Sequence, residues 1–120
     1  MTDRGKELGL SSLDKKKCQP CEGGVEPLAG ERATGLLAQV PGWRIDADGK
    51  AIFRQYQFPD FDATMLFVNG LAWVANQQEH HPDFEAGFGH CRVSFTTHAI
   101  GGLSENDFIC AARLNALTEI

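Results

Sequence analysis

His80 and His81 are neighbours in the chain and His98 follows in a separate segment; these are three of the four histidines in the sequence. Imidazole has an ordinary pKa of ~6.5, so three such rings gathered in one cleft would suit acid–base chemistry near neutrality. Two plainer roles compete with that reading. A histidine pair closing a helix interacts favourably with the partial negative charge of the helix C-terminus, and a histidine on the polar face of a strand can bond to neighbouring hydroxyls. Three imidazoles could also hold zinc and leave a position open for water. Helical zinc pairs sit about four residues apart so that both rings face the ion, whereas adjacent His80 and His81 point in different directions. No resident metal is therefore expected.

The four cysteines offer a second kind of chemistry. Cys18-Gln19-Pro20-Cys21 is a CxxC motif, which elsewhere forms half of a zinc site or a redox pair. It has no second CxxC to complete it and does not lie between a strand and a helix, so plain surface thiols are the default and weak or oligomer-bridging metal binding the alternative. Cys91 and Cys110 fall inside apolar patterns and read as small buried hydrophobes. With no secretion signal in the sequence, all four are expected to be reduced thiols.

The elements that position these groups follow from pattern and punctuation. Residues 1–27 lack periodicity and carry Lys15-Lys16-Lys17, Gly23-Gly24, Pro20 and Pro27, so a flexible or loosely docked arm is expected ahead of a domain over 28–120. Leu36, Leu37 and Val40 allow a short helix from Glu31 to Val40, ended by Pro41-Gly42. Trp43–Asp46 and Ala51–Phe58 flank Asp48-Gly49, a strong hairpin signal because these residues tolerate positive φ. Asp60 or Asp62 can cap a helix over 63–78, where Ala63, Phe67, Leu71 and Val74 recur at helical spacing. Pro82 pushes His81 out of helical geometry, which puts the histidine pair at the helix end.

A second hairpin is expected from Phe84–Phe88 and Cys91–Thr97 around Gly89-His90. In its last strand Cys91, Val93, Phe95 and Thr97 face one way, while Arg92, Ser94, Thr96 and His98 face the other. Ser104 with Asp107 three residues on is a variant capping box that opens a terminal helix. The order helix, two strands, helix, two strands, helix implies an α+β two-layer sandwich: a four-stranded antiparallel sheet with helices packed on one face. Open sheet edges invite pairing with a second copy, so a homodimer or homotetramer is expected.

Bulk properties narrow the partners. A chain of 120 residues with 42% apolar content is one domain with a real core. Its formal charge of −5, from 16 acidic and 11 basic residues, argues against nucleic acid, which binds through cationic neutralisation of phosphates. No apolar run reaches the ~20 residues that a membrane-spanning helix needs, and a cytoplasmic location is expected.

At this point the residues resemble a known family. His80-His81-Pro82, Phe88, His98 and Asp107, with five, nine and eight residues in the successive gaps after Pro82, resemble the signature of the pterin-4a-carbinolamine dehydratases. Thr97-His98, Gly102-Leu103-Ser104-Glu105, Gly42-Trp43 and Phe58-Pro59-Asp60-Phe61 extend the likeness over roughly residues 28–120. The resemblance implies dehydration of 4a-hydroxytetrahydropterin to quinonoid dihydropterin without metal or redox cofactor. It implies proton transfer by His80 and His98, with their acid and base labels interchangeable, and orientation of the pterin by His81.

Glu79, Pro82 and Asp107 join His81 on the substrate-binding side of that implication, Asp107 with helix capping as its competing role. Asn76 stands where the family often has an acidic residue, and Asn106 where some members have arginine. A metabolic link to an aromatic amino-acid hydroxylase also follows from the resemblance. Its alternative is a non-catalytic dimerisation, coactivator or assembly protein on the same scaffold.

Overall fold

The computed structural model describes residues 12–20 and 23–118, so Cys21, half of the CxxC motif, lies outside the described residues. The described elements are α1 (Ser12–Lys15), α2 (Gly30–Leu37), β1 (Arg44–Ile45), β2 (Ile52–Gln57), α3 (Phe61–Gln78), β3 (Asp83–Ala86), β4 (His90–Phe95), a 3-10 turn (His98–Ile100) and α4 (Glu105–Thr118). The strands form one antiparallel sheet in the order β1-β2-β4-β3. This is the α+β sandwich expected from the hairpin pattern. None of the described helices is long and apolar enough to cross a membrane.

The register explains which face is buried. Ile52 pairs with Phe95 and Tyr56 with Cys91, so these residues share one face with Val93 and meet the helices. On the opposite face Phe53 lies beside Ser94, covered by the Arg92 guanidinium 4.3 Å above its ring. Phe95, Val93 and Ile52 are at most 1% exposed and pack with Leu71 of α3 and Phe108, Ile109 and Leu114 of α4. Burying one such side chain stabilises the fold by roughly 1.5–3 kcal/mol.

α3 begins at Phe61, earlier than its apolar spacing suggests, because Asp60 is extended and its carboxylate accepts the Ala63 N–H at 2.8 Å. Its buried stripe runs through Thr64, Phe67, Leu71, Val74 and Gln78. Other boundaries also differ from expectation. α2 ends at Leu37 rather than Val40, and β1 keeps only Arg44–Ile45, because the Asp46 carboxylate turns to accept the N–H groups of Lys50 and Ala51 at 3.0 and 3.3 Å. In the second hairpin the turn is Gly87–Gly89, not Gly89-His90; a Cβ on Gly89 would come 2.7 Å from the Phe58 carbonyl oxygen.

Residues 12–20, read from the sequence as part of a flexible or loosely docked arm, pack against the helices. Leu13 is 2% exposed and belongs to the core. Lys16 pairs with Glu105 at 2.7 Å, and its carbonyl accepts from Arg113 Nε at 3.0 Å. This stretch lacks a helical period of its own because one apolar anchor and several polar contacts to α4 dock it.

Candidate active site

Three chain segments converge at one end of the sheet. The first leaves α3 through Glu79, whose φ of 53° is left-handed and is the only positive φ of a non-glycine residue among those described. The N–H groups of Glu79 and, at 3.2 Å, of His80 both reach the Ala75 carbonyl, so the helix ends in a tight reversal that swings His80 out of the helical path. The second segment leaves β4 after Phe95. His98 does not close the strand, as the alternation suggests, but opens the 3-10 turn that ends at left-handed Gly101. Thr97 and Gly102 bridge the base of that turn. The third segment is the start of α4.

Asp107 joins these segments. It is 0% exposed, and its Oδ1 lies 2.6 Å from His80 Nε2. Its Oδ2 accepts the Thr97 hydroxyl at 2.8 Å and the Ser104 N–H at 2.9 Å. Because the Thr97 proton is given to the carboxylate, the Ser104 hydroxyl donates to Thr97 Oγ1 at 2.7 Å, while Ser104 Oγ accepts the Asn106 N–H at 3.2 Å. Asp107 is thus the helix cap and the histidine's partner at once. A buried carboxylate is tolerated when its lone pairs are matched by donors in this way.

With Nε2–H given to Asp107, His80 keeps Nδ1 for proton exchange. Its ring stacks on Phe95 at a centroid distance of 6.0 Å and an angle of 12°. Burial alone would push its pKa down, but the hydrogen bond and the negative charge of Asp107, aided by Cys18, outweigh that and raise it above the ordinary value. The result is an imidazole held toward its protonated form.

His80 opens onto a cleft of about 270 Å³ that Glu79, His81, Thr97 and His98 also line. His81 and His98 are exposed, and neither side chain has a hydrogen-bond partner among the described residues. The hydroxyl-bonded role is therefore not what His98 adopts here. Asp107 stands behind His80, and Pro82 is not among the lining residues. The lining also includes Gln19, Pro20 and Asn106, which the sequence reading did not place at the site. Thr97 carried a legible signal: a hydroxyl on the dry face of a strand needs a partner there.

Among the described residues no group of three or more His, Cys, Asp or Glu is placed to hold a metal ion. A roomier groove of about 620 Å³, between Phe58, Leu66, Phe67 and Leu117, has no titratable side chain in its lining and so offers no proton chemistry.

The fold and the cleft define a protein of the pterin dehydratase architecture. A crystal structure described as a transcriptional coactivator/pterin dehydratase from Brucella melitensis superposes with a TM-score of 0.73 at 27% identity, over 77% of this chain and 98% of that one. A pterin dehydratase-like protein described as a RuBisCO assembly factor of the alpha-carboxysome shares the fold, with a TM-score of 0.57 at 23% identity over 65% of this chain and 90% of its own. The profile of the family described as Pterin 4 alpha carbinolamine dehydratase matches residues 26–117. A protein of Nitrosomonas eutropha, provisionally named a pterin-4-alpha-carbinolamine dehydratase, is 53% identical over 109 residues, covering 90% of this chain and 95% of its own. A provisionally named counterpart from Nitrosospira multiformis is 47% identical over 111 residues, covering 92% and 96%. The chain belongs to the pterin-4a-carbinolamine dehydratase family.

Proposed function

We propose that this chain dehydrates 4a-hydroxytetrahydropterin to quinonoid dihydropterin, and that the observation carrying this reading is the Asp107-backed His80 facing the same cleft as His81 and His98. The reaction breaks the bond between C4a and the hydroxyl oxygen, which leaves as water after gaining a proton; a ring N–H is lost to restore conjugation. His80, biased toward its protonated form, delivers the proton from Nδ1 to the leaving oxygen. His98, which lines the same cleft, takes the proton from the ring nitrogen. His81 and Glu79 bind the flat ring, and Asp107 acts only through His80. General acid–base catalysis of this kind supplies about 10²–10⁴-fold, in keeping with a reaction that also proceeds unaided.

The test is turnover of 4a-hydroxytetrahydropterin by the purified chain against its His80→Ala and His98→Ala variants. Each variant is expected to approach the spontaneous rate, and a parent chain no faster than that rate would sink the proposal. EDTA is expected to leave turnover unchanged; activity lost to EDTA and restored by zinc would overturn the metal-free part. The descriptions of the two structural neighbours as a coactivator and an assembly factor favour a second reading, a partner-binding scaffold. An inactive parent would support it.

We further propose self-association through the β3 edge, supported by its four exposed residues and by Phe84 and Phe88, which are 52% and 69% exposed. Sedimentation of the parent against Phe84→Asp tests this, and a monomeric parent would refute it.

A further inference from the structure

We propose that residues Cys18–Pro20 form a wall of the ligand cleft, clamped there by Asn106 and Gln78, and that they set how tightly the pterin binds without joining in proton transfer. The inference rests on the pterin reading above for the identity of the ligand. Gln19 and Pro20 line the same cleft as the three histidines. The clamp is built from buried groups. Asn106, 7% exposed, accepts the Gln19 N–H at 2.9 Å and donates its amide to the Gln19 carbonyl at 2.6 Å, so one side chain satisfies both backbone groups of that residue. Gln78, also 7% exposed, accepts the Cys18 N–H at 2.9 Å. Behind them the Cys18 sulfur rests 3.7 Å from that of Cys110 and 3.5 Å from the Asn106 carbonyl oxygen.

The placement of the clamps distinguishes a cleft wall from a simple tether. Asn106 immediately precedes Asp107, and Gln78 ends the helix whose reversal presents His80. The wall is therefore fastened to the two points that hold the Asp107–His80 pair, on the side facing ligand. Gln19 and Pro20 contribute no ionisable group, so their part is to shape and close the cleft. Linkage then requires reciprocity: if the docked wall favours ligand binding, bound ligand must favour the docked wall by the same factor.

The experiment combines kinetics with a chemical reporter. Asn106→Ala removes both bonds to Gln19, and Gln78→Leu, at a residue outside the cleft lining, releases the Cys18 N–H. Two lost hydrogen bonds predict a rise in KM of about tenfold for Asn106→Ala; Gln78→Leu should shift KM in the same direction, with kcat changed by less than about twofold. Gln78→Leu also guards against misfolding of the first variant, and the circular dichroism of both is compared with the parent. Cys18 is half-buried while Cys91 and Cys110 are buried, so in a Cys21→Ser chain the iodoacetamide alkylation rate reports whether the wall is docked.

Alkylation is expected to quicken in Asn106→Ala and, in the parent, to slow when 7,8-dihydropterin is added as a non-reacting ligand. An unchanged KM beside faster alkylation would show a latch with no role in binding and overturn the proposal while leaving the dehydratase reading intact. Should the parent show no turnover, the dehydratase reading fails by itself. The wall is then judged on protection alone, and absence of protection by dihydropterin overturns it.

Discussion

His80 and Asp107 stand 27 residues apart in the chain, yet their Nε2 and Oδ1 atoms meet at 2.6 Å, where the reversal after α3 faces the first turn of α4. The carboxylate is fully buried and the histidine side chain is 13% exposed, so solvent screens this contact far less than it would a surface pair. One carboxylate caps a helix and sets the protonation bias of the ring that faces the cleft.

Asp107→Asn is the sharpest probe of that arrangement. The amide oxygen would take over the Thr97 and Ser104 donors, leaving the NH₂ against His80 Nε2, which would then have to accept. That places the ring proton on Nδ1 and disfavours the imidazolium, so the His80 pKa should fall. Loss of the protonated acid draws the basic limb of the kcat profile to lower pH, and kcat near neutrality is expected to drop about a hundredfold. A variant with the parent's pH profile would separate Asp107 from the chemistry.

The same pair predicts how stability varies with pH. His80 has a folded-state pKa raised above its ordinary 6.5, so the folded chain binds this proton more tightly than the unfolded one. The resulting stabilisation is fully present below about pH 6.5 and fades as pH rises through the folded pKa. Urea midpoints compared between the parent and His80→Gln should therefore converge with increasing pH across this window. A gap that widens with pH would mean that burial, rather than Asp107, dominates.

Much of this architecture was legible because local periodicity and tertiary demand agree. Ala63, Phe67, Leu71 and Val74 mark α3, Asp48-Gly49 marks the first hairpin, and the alternation from Cys91 to Thr97 marks the buried face of the sheet. The histidine convergence was legible as a motif, but the hydrogen bond between His80 and Asp107 was not, since a capping box explains Asp107 without it. The docking of residues 12–20 was hidden for a different reason. Leu13, Cys18 and Gln19 find their partners on α3 and α4, at separations of 60 to 92 residues for the polar contacts of Cys18 and at 87 for Gln19 with Asn106, and such pairings leave no period in the sequence. His98 was misplaced because the polar–apolar alternation continues past Phe95, where β4 ends, to the 3-10 turn that His98 opens.

Asp60→Ala tests whether the capping that starts α3 early matters to stability rather than to chemistry. The substitution removes the acceptor of the Ala63 N–H at 2.8 Å, and loss of such a cap costs about 1 kcal/mol. Asp60 does not line the histidine cleft. The urea midpoint should drop accordingly while kcat and KM stay at parent values; a large loss of turnover in folded protein would show that the start of α3 influences the site at its other end.

Glu79→Gly sets stability against function at a single backbone position. Glu79 holds a left-handed φ of 53° and ψ of 40°, a conformation that disfavours a side chain by about 1 kcal/mol and that glycine adopts freely. Relieving it should raise unfolding stability by a few tenths to about 1 kcal/mol, less than the full relief because glycine also gains freedom in the unfolded chain. The same change strips a carboxylate from the cleft lining. If that carboxylate helps bind the pterin, KM for 4a-hydroxytetrahydropterin should rise even as the protein becomes harder to unfold. Glu79→Ala separates the two effects, because it removes the carboxylate while keeping the strain: it should match the glycine variant in KM but not in stability. Equal stability of the glycine and alanine variants would show that the reversal after α3 is not strained, and a parent-like KM in both would remove Glu79 from the binding side of the cleft.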